Sequence, residues 1–192
     1  MTDTPITRVA ILADTHGFLD PRISERVAEC DHAVHAGDVG GADVLCALNP
    51  STSVVAIRGN NDTPSKWVES ESHFLENLPS LAQLDLPGGR LVVTHGDDGR
   101  SLTERHRHLR KQYPQARAVV YGHSHKLTMD CDETPWILNP GAAGRIRTQA
   151  QGGPSCLLLK CTESEWDVEA VQLPARRYPN RDSQRRRSQA AD

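Results

Sequence analysis

The chain has little that would staple it, span a membrane with it or draw it to nucleic acid. Its cysteines, Cys30, Cys46, Cys131, Cys156 and Cys161, are five, an odd number, and no two form a Cys-x-x-Cys pair. A disulfide framework or a zinc–thiolate site is therefore not indicated, and reduced, scattered thiols in a cytoplasmic protein are expected. No apolar stretch is long enough to span a bilayer, so no membrane role is expected. The start, Met1-Thr2-Asp3-Thr4-Pro5, lacks the basic opening and apolar run of a secretory signal. Aromatic residues make up only 4% against 37% apolar residues, so the core should be aliphatic. The net charge of -3 does not suggest a general nucleic-acid binder, although the charge is uneven along the chain.

What is present is an α/β rhythm. At 192 residues the chain fits one domain with a tail. Arg8–Ala13 is a short apolar run without alternation, as suits a strand buried on both faces. It ends in Asp14-Thr15-His16-Gly17, and Asp20-Pro21 then opens a helix towards Cys30. A second strand, Ala33–Ala36, ends in Gly37-Asp38 and leads to helix signals over Ala42–Leu48. A third, Val54–Ile57, ends in Arg58-Gly59-Asn60-Asn61-Asp62. The segment from Pro64 to Pro79 reads as polar and irregular, with Trp67, His73 and Phe74 as candidate anchors. Ala82–Leu86 and Leu91–Thr94 flank Pro87-Gly88-Gly89 as a β-hairpin, whose second strand ends in His95-Gly96-Asp97. Ser101 with Glu104 forms a capping box for a helix to about Tyr113. The strand Ala118–Tyr121 ends in Gly122-His123-Ser124-His125, and short strands follow at 127–129, 136–138, 155–161 and 166–171. The expected domain is 1–173. The Arg-rich, apolar-poor stretch 174–192 cannot support a core and is expected to be disordered.

Each polar strand end is ordinary by itself. Gly-Asp and Gly-Asn-Asn-Asp are good turn chemistry, and a lone His95 is more often structural than a ligand. The series is not ordinary. Asp14, His16, Asp38, Asn60, His95, His123 and His125 all stand where a strand runs out. Carboxylate, amide oxygen and imidazole together suit divalent Mn, Fe, Ni, Co or Zn. Seven donors exceed the needs of one ion, so two ions are implied, with a carboxylate as the natural bridge. Two such ions roughly 3.5–4 Å apart can share a water and clamp a phosphoryl group.

Asp14-x-His16, Gly37-Asp38, Gly59-Asn60-Asn61-Asp62, His95-Gly96 and Gly122-His123-x-His125 resemble the ordered motifs of the calcineurin-like metallophosphoesterases. The short length, Ile57-Arg58-Gly59-Asn60 and Asn139-Pro140-Gly141 resemble the small bacterial and archaeal phosphodiesterase subfamily, to which a retromer subunit of vacuolar sorting is related. The resemblance covers about Val9 to Val171. It implies a four-layer α/β/β/α sandwich with a dinuclear site at the strand ends. It implies that Asp14, His16 and His125 hold one metal, that Asn60, His95 and His123 hold the other, and that Asp38 bridges them. Mn is the first expectation for both ions. A metal-bridging hydroxide is the implied nucleophile and a small phosphodiester the implied substrate. Asn60, His95 and Asp62 are the candidate catalytic residues, Asp62 by orienting a neighbouring ligand or a substrate donor, or else by holding the turn. A non-catalytic protein-binding scaffold and a phosphomonoesterase are the alternatives, a nucleic-acid substrate is left open, and a homodimer is among the states the resemblance allows.

Two positions depart from the family pattern. Asn61 stands where many relatives have a histidine, which leans the expectation towards diesters. Asp97 stands where many carry a further histidine. Arg145, Arg147 and Arg58 are further candidates for meeting phosphate. His35 is expected to be packed rather than a ligand. His106 and His108 are expected on a solvated helix face.

Overall fold

The computed structural model describes residues 5–145 and 152–176. The first sheet contains β1 (Thr7–Leu12), β2 (His32–His35), β3 (Ser53–Ala56), β9 (Ser155–Cys161) and β10 (Trp166–Gln172), in the order β10-β9-β1-β2-β3. The second contains β4 (Leu81–Leu86), β5 (Gly89–Thr94), β6 (Ala118–Val120), β7 (Leu127–Asp130) and β8 (Trp136–Pro140), in the order β4-β5-β6-β8-β7. Both sheets are mixed. β1, β2 and β3 run parallel, as do β5, β6 and β8.

The absence of alternation in β1 has a direct cause. Val9 and Ile11 face the layer between the sheets, with Val93, Val120, Leu138 and Leu157. Ala10 and Leu12 face the other way, into a second core with Ile23 and Val27 of α1 (Pro21–Ala28) and Val44 of α2 (Ala42–Ala47). On the far side of the second sheet, Leu109 of α4 (Leu102–Gln112) packs on Val92, Val119 and Ile137. The result is the α/β/β/α sandwich. Its core is aliphatic, with Trp67, Tyr121 and Trp166 the buried aromatics among the described residues. Asp20 caps α1, its carboxylate accepting from the Arg22 amide at 3.0 Å. The Ser101–Glu104 capping box starts α4.

Two expectations are corrected. The segment from Pro64 to Pro79 is not irregular throughout: it holds a 3₁₀ turn, Glu69–Glu71, and α3, Ser72–Asn77. Its anchors are Trp67, Leu75 and Leu78, with Phe74 partly buried, while His73 is exposed. Six residues are too few to display a helical period. His106 does not lie on a solvated face. It is buried on the sheet side of α4, between Asp130 and Tyr121, whereas His108 is half-buried. The expected tail is described only as far as Arg176, and the rest of it, like Arg147, lies outside the described residues.

Candidate metal centre

Parallel strands bring their carboxyl ends to one edge, the usual place for a ligand in an α/β sheet. Here two such edges face each other. Asp14 and His16 follow β1, Asp38 follows β2 and Asn60 follows β3. His95 follows β5, and His123 with His125 follows β6. All seven sequence candidates for metal therefore converge.

They form two groups around one carboxylate. In the first, ligand atoms of Asp14, His16, Asp38 and His125 all lie within 4.8 Å of one another. The His16 Nε2 stands 3.2 Å from the His125 Nε2, and the His125 Nε2 stands 3.4 Å from the Asp14 Oδ1. In the second, the Asn60 Oδ1 lies 3.0 Å from both the His95 Nε2 and the His123 Nδ1. Asp38 touches both groups: its Oδ2 is 3.7 Å from the His16 Nε2 and its Oδ1 is 3.4 Å from the His95 Nε2.

The backbone is strained to achieve this. Among the described residues, the non-glycine residues with positive φ are Asp14 (55°), His16 (48°), Asp38 (56°), His123 (63°) and His125 (55°). Each is one of the seven. A left-handed residue other than glycine costs roughly 1 kcal/mol or more, and such strain gathers at functional sites. Close approach adds a demand for glycine. A Cβ on Gly59 would stand 2.3 Å from the Asp38 Oδ1, and one on Gly40 2.5 Å from the Gly17 nitrogen and 2.8 Å from the His16 Cα.

The donor set fits a cation. The Asp14 Oδ2 is buried without a hydrogen-bond partner, a costly state for a carboxylate oxygen. The His95 Nδ1 donates to the Ala36 carbonyl at 2.8 Å, so its hydrogen is there. In the neutral ring, Nε2 then carries a lone pair, yet it faces the oxygens of Asn60 and Asp38. A proton or a metal ion is needed between them, and the carbonyl bond holds the tautomer that would ligate. Burial lowers the His95 pKa, but bonds to Asp38 and Ala36 outweigh it and raise the value. Burial raises that of Asp38, but hydrogen bonds from His95 and Asn61 win and hold it well below the usual carboxylate range.

Supporting residues surround the donors. Asn61 holds both oxygens of Asp38, its backbone nitrogen donating to Oδ1 at 2.8 Å and its Nδ2 to Oδ2 at 2.7 Å. Asp62, a catalytic candidate in the sequence, is buried and its carboxylate is occupied by the neighbouring turns. Its carboxylate accepts from the Val39, Gly40 and Gly59 amides and from the Trp67 indole, at 2.8–3.0 Å. It thus pins the Asp38 turn to the Asn60 turn. Asn139 was legible only as part of Asn-Pro-Gly. It is buried in β8, and its Nδ2 donates to the Gly122 carbonyl and to the Ser124 Oγ, on either side of His123. His35 is fully buried, as expected. Thr15 donates its hydroxyl to the Val39 carbonyl at 2.9 Å, so the His35 Nε2 must donate to Thr15. Burial pushes the His35 pKa down to about 4. Arg145 stacks its guanidinium on Phe18, 4.7 Å from the ring centre, just past the His16 turn. Arg58 is exposed.

The chain is similar to several known proteins. A probable metallophosphoesterase of Methanothermobacter thermautotrophicus is 25% identical over 179 residues, 87% of this chain and 93% of the relative. A phosphodiesterase of Methanocaldococcus jannaschii is 24% identical over 146 residues, 70% of this chain and 82% of the relative. The crystal structure of a Vps29 single mutant from Entamoeba histolytica shares the fold, with a TM-score of 0.67 at 16% identity over 87% of this chain and 99% of that one. The sequence model of the calcineurin-like phosphoesterase superfamily domain matches residues 7–164, and the chain belongs to that superfamily.

Proposed function

We propose that the protein is a dinuclear metal-dependent phosphodiesterase. In this reading Asp14, His16 and His125 hold one divalent ion, Asn60, His95 and His123 hold a second, and Asp38 bridges them. The observation that carries it is the position of the Asp38 carboxylate, with one oxygen towards each group of donors. Ions held there would supply Lewis acidity towards the phosphoryl oxygens and acidify an attacking water. The chain's own residues do the rest. Asn61 and Asp62 fix the bridging carboxylate and its turn. The Ala36 carbonyl keeps the His95 Nε2 directed inward. Mn is the first ion to try, with Ni, Fe, Zn and Co as alternatives suited to the same oxygen and nitrogen donors.

The diester preference is supported by Asn61, an amide that cannot protonate a leaving group, and by the phosphodiesterase among the relatives. A protein-binding scaffold would have no use for four strained donors gathered around a fifth, the Asp38 carboxylate, which places that reading second. The test is hydrolysis of an aryl phosphodiester, beside the matching monoester, with each metal in turn. Asp38→Asn keeps the shape but removes the charge and one bridging oxygen, and sets an NH₂ against a donor of Asn61. It should reduce the metal-dependent rate roughly 100-fold or more, equivalent to several kcal/mol of lost stabilisation. Full activity in that variant, or in a chelated sample, would sink the reading.

A further inference from the structure

Beyond the donors, the site carries a cation that neither the family motifs nor the relatives' names assign. The Asn61 amide is fully engaged at its oxygen, which accepts from the Lys66 ammonium, while its Nδ2 donates to Asp38. Lys66 is exposed, and an exposed lysine normally keeps its charge in water because fixing the side chain gains little. Here its place is set by its neighbours. The Lys66 backbone nitrogen donates to the Thr63 carbonyl at 2.9 Å. The next residue, Trp67, is buried with its indole on Asp62. The same Asp62 carboxylate binds the Gly59 amide at the start of the turn. The turn is therefore closed on itself, and the ammonium sits one amide away from the Asp38 oxygen that faces His16.

We propose that Lys66 is a phosphate-binding residue of this site, its ammonium donating to an oxygen of the bound phosphoester. The proposal rests on the phosphodiesterase reading and adds a ligand-side residue to it. An ammonium has three donors. One is used on Asn61, and the exposed side chain leaves the others open to a ligand beside the centre. The charge is a compact point on a flexible stem, which suits a single phosphoryl oxygen rather than a bidentate grip. Lys66 also serves the site where Asn61 does not. Asn61 spends one Nδ2 hydrogen on Asp38 and its oxygen on Lys66, so the charged donor beside that amide is the lysine.

The experiment uses the full-length, metal-loaded protein and inorganic phosphate as the probe. Phosphate affinity is read by calorimetry and by competition against aryl phosphodiester hydrolysis, for wild type, Lys66→Ala, Lys66→Arg and the remote control Lys160→Ala. Lys66→Ala should weaken phosphate about 10-fold and raise KM more than it lowers kcat, with bound metal per chain unchanged. Lys66→Arg should recover most of the affinity, and Lys160→Ala should match wild type. Phosphate affinity within twofold of wild type in Lys66→Ala overturns the proposal alone. Loss of metal in that variant overturns it in favour of a prop for Asn61 and Asp38. Wild type that binds phosphate through Lys66 but does not hydrolyse the ester overturns the enzyme reading instead. Wild type that neither binds nor hydrolyses overturns both.

Discussion

At the scale of the residue, His35 shows how a buried base ties stability to pH. Its Nδ1 is buried without a partner and its Nε2 donates to Thr15, so the ring is held neutral. The folded pKa of about 4 lies below the ordinary 6.5. Above pH 6.5 neither state binds the proton. Between 6.5 and 4 the unfolded chain binds it and the folded chain does not, so stability falls as pH falls. The full loss is roughly 3 kcal/mol. His95, with its raised pKa, works in the opposite sense, losing stability as pH rises. The His35 share is therefore read as the difference in pH slope between wild type and His35→Leu, by urea unfolding from pH 7 to 4 with a chelator present. Equal slopes would show that His35 titrates normally. Side-chain identities such as these were legible in the sequence, because Asp, His and Asn announce their own chemistry. Their conformations were not. Nothing in the letters of Asp14, His16, Asp38, His123 and His125 says that each is left-handed, since residues chosen for their donors override the usual preference for glycine.

Elements were legible where a period or a cap could be read. β1, the β4–β5 hairpin and α4 with its capping box all fall where the pattern places them. α3 was not, because six residues with Leu75 as their one buried side chain carry too little pattern. α4 also hides its inward face, since Arg105 and His106 read as solvent residues until their partners are known. His106 donates from Nδ1 to the Asp130 Oδ2 on β7, at 2.6 Å, and its Nε2 bonds the Tyr121 hydroxyl at 3.2 Å. Arg110 adds a second bond to Asp130, at 2.5 Å. The Asp130 bonds fasten α4 to β7, and the Tyr121 bond fastens it to the end of β6, just before the turn that carries His123 and His125. Tyr121→Phe leaves the His106 Nε2 unpaired in the interior and should cost about 1–2 kcal/mol in urea unfolding. Its effect on metal affinity should be smaller than that of Asn139→Ala, because Asn139 bonds the turn itself. The reverse order would place the control of the turn in the helix.

At the scale of the whole molecule, the two sheets are joined at both ends, by different chemistry. At the end away from the donors, the Trp166 indole of the first sheet donates to the Pro87 carbonyl of the second, at 2.7 Å. There Arg117 also reaches the Gly88 carbonyl at 2.8 Å and the Ser164 carbonyl at 3.2 Å. At the donor end the ties include His95 to the Ala36 carbonyl, at 2.8 Å, the His123 amide to the Asp14 Oδ1, at 3.2 Å, and the Ala143 amide to the Ala13 carbonyl, at 2.9 Å. Two of these ties run through candidate ligands, and each group of donors draws from both sheets. Divalent ions bound there would clamp the sandwich as well as arm it. A ligand present at about a thousand times its Kd stabilises the folded state by roughly 4 kcal/mol. Chelation should remove that amount in urea unfolding. In hydrogen exchange it should release the turns at 37–41, 59–62 and 122–126, while the β4–β5 hairpin and β10 stay protected, because their tie through Trp166 needs no ion. Loss of protection spread evenly over both ends would mean that the donor groups stabilise the fold globally, and unchanged stability on chelation would mean that they hold no ion at all.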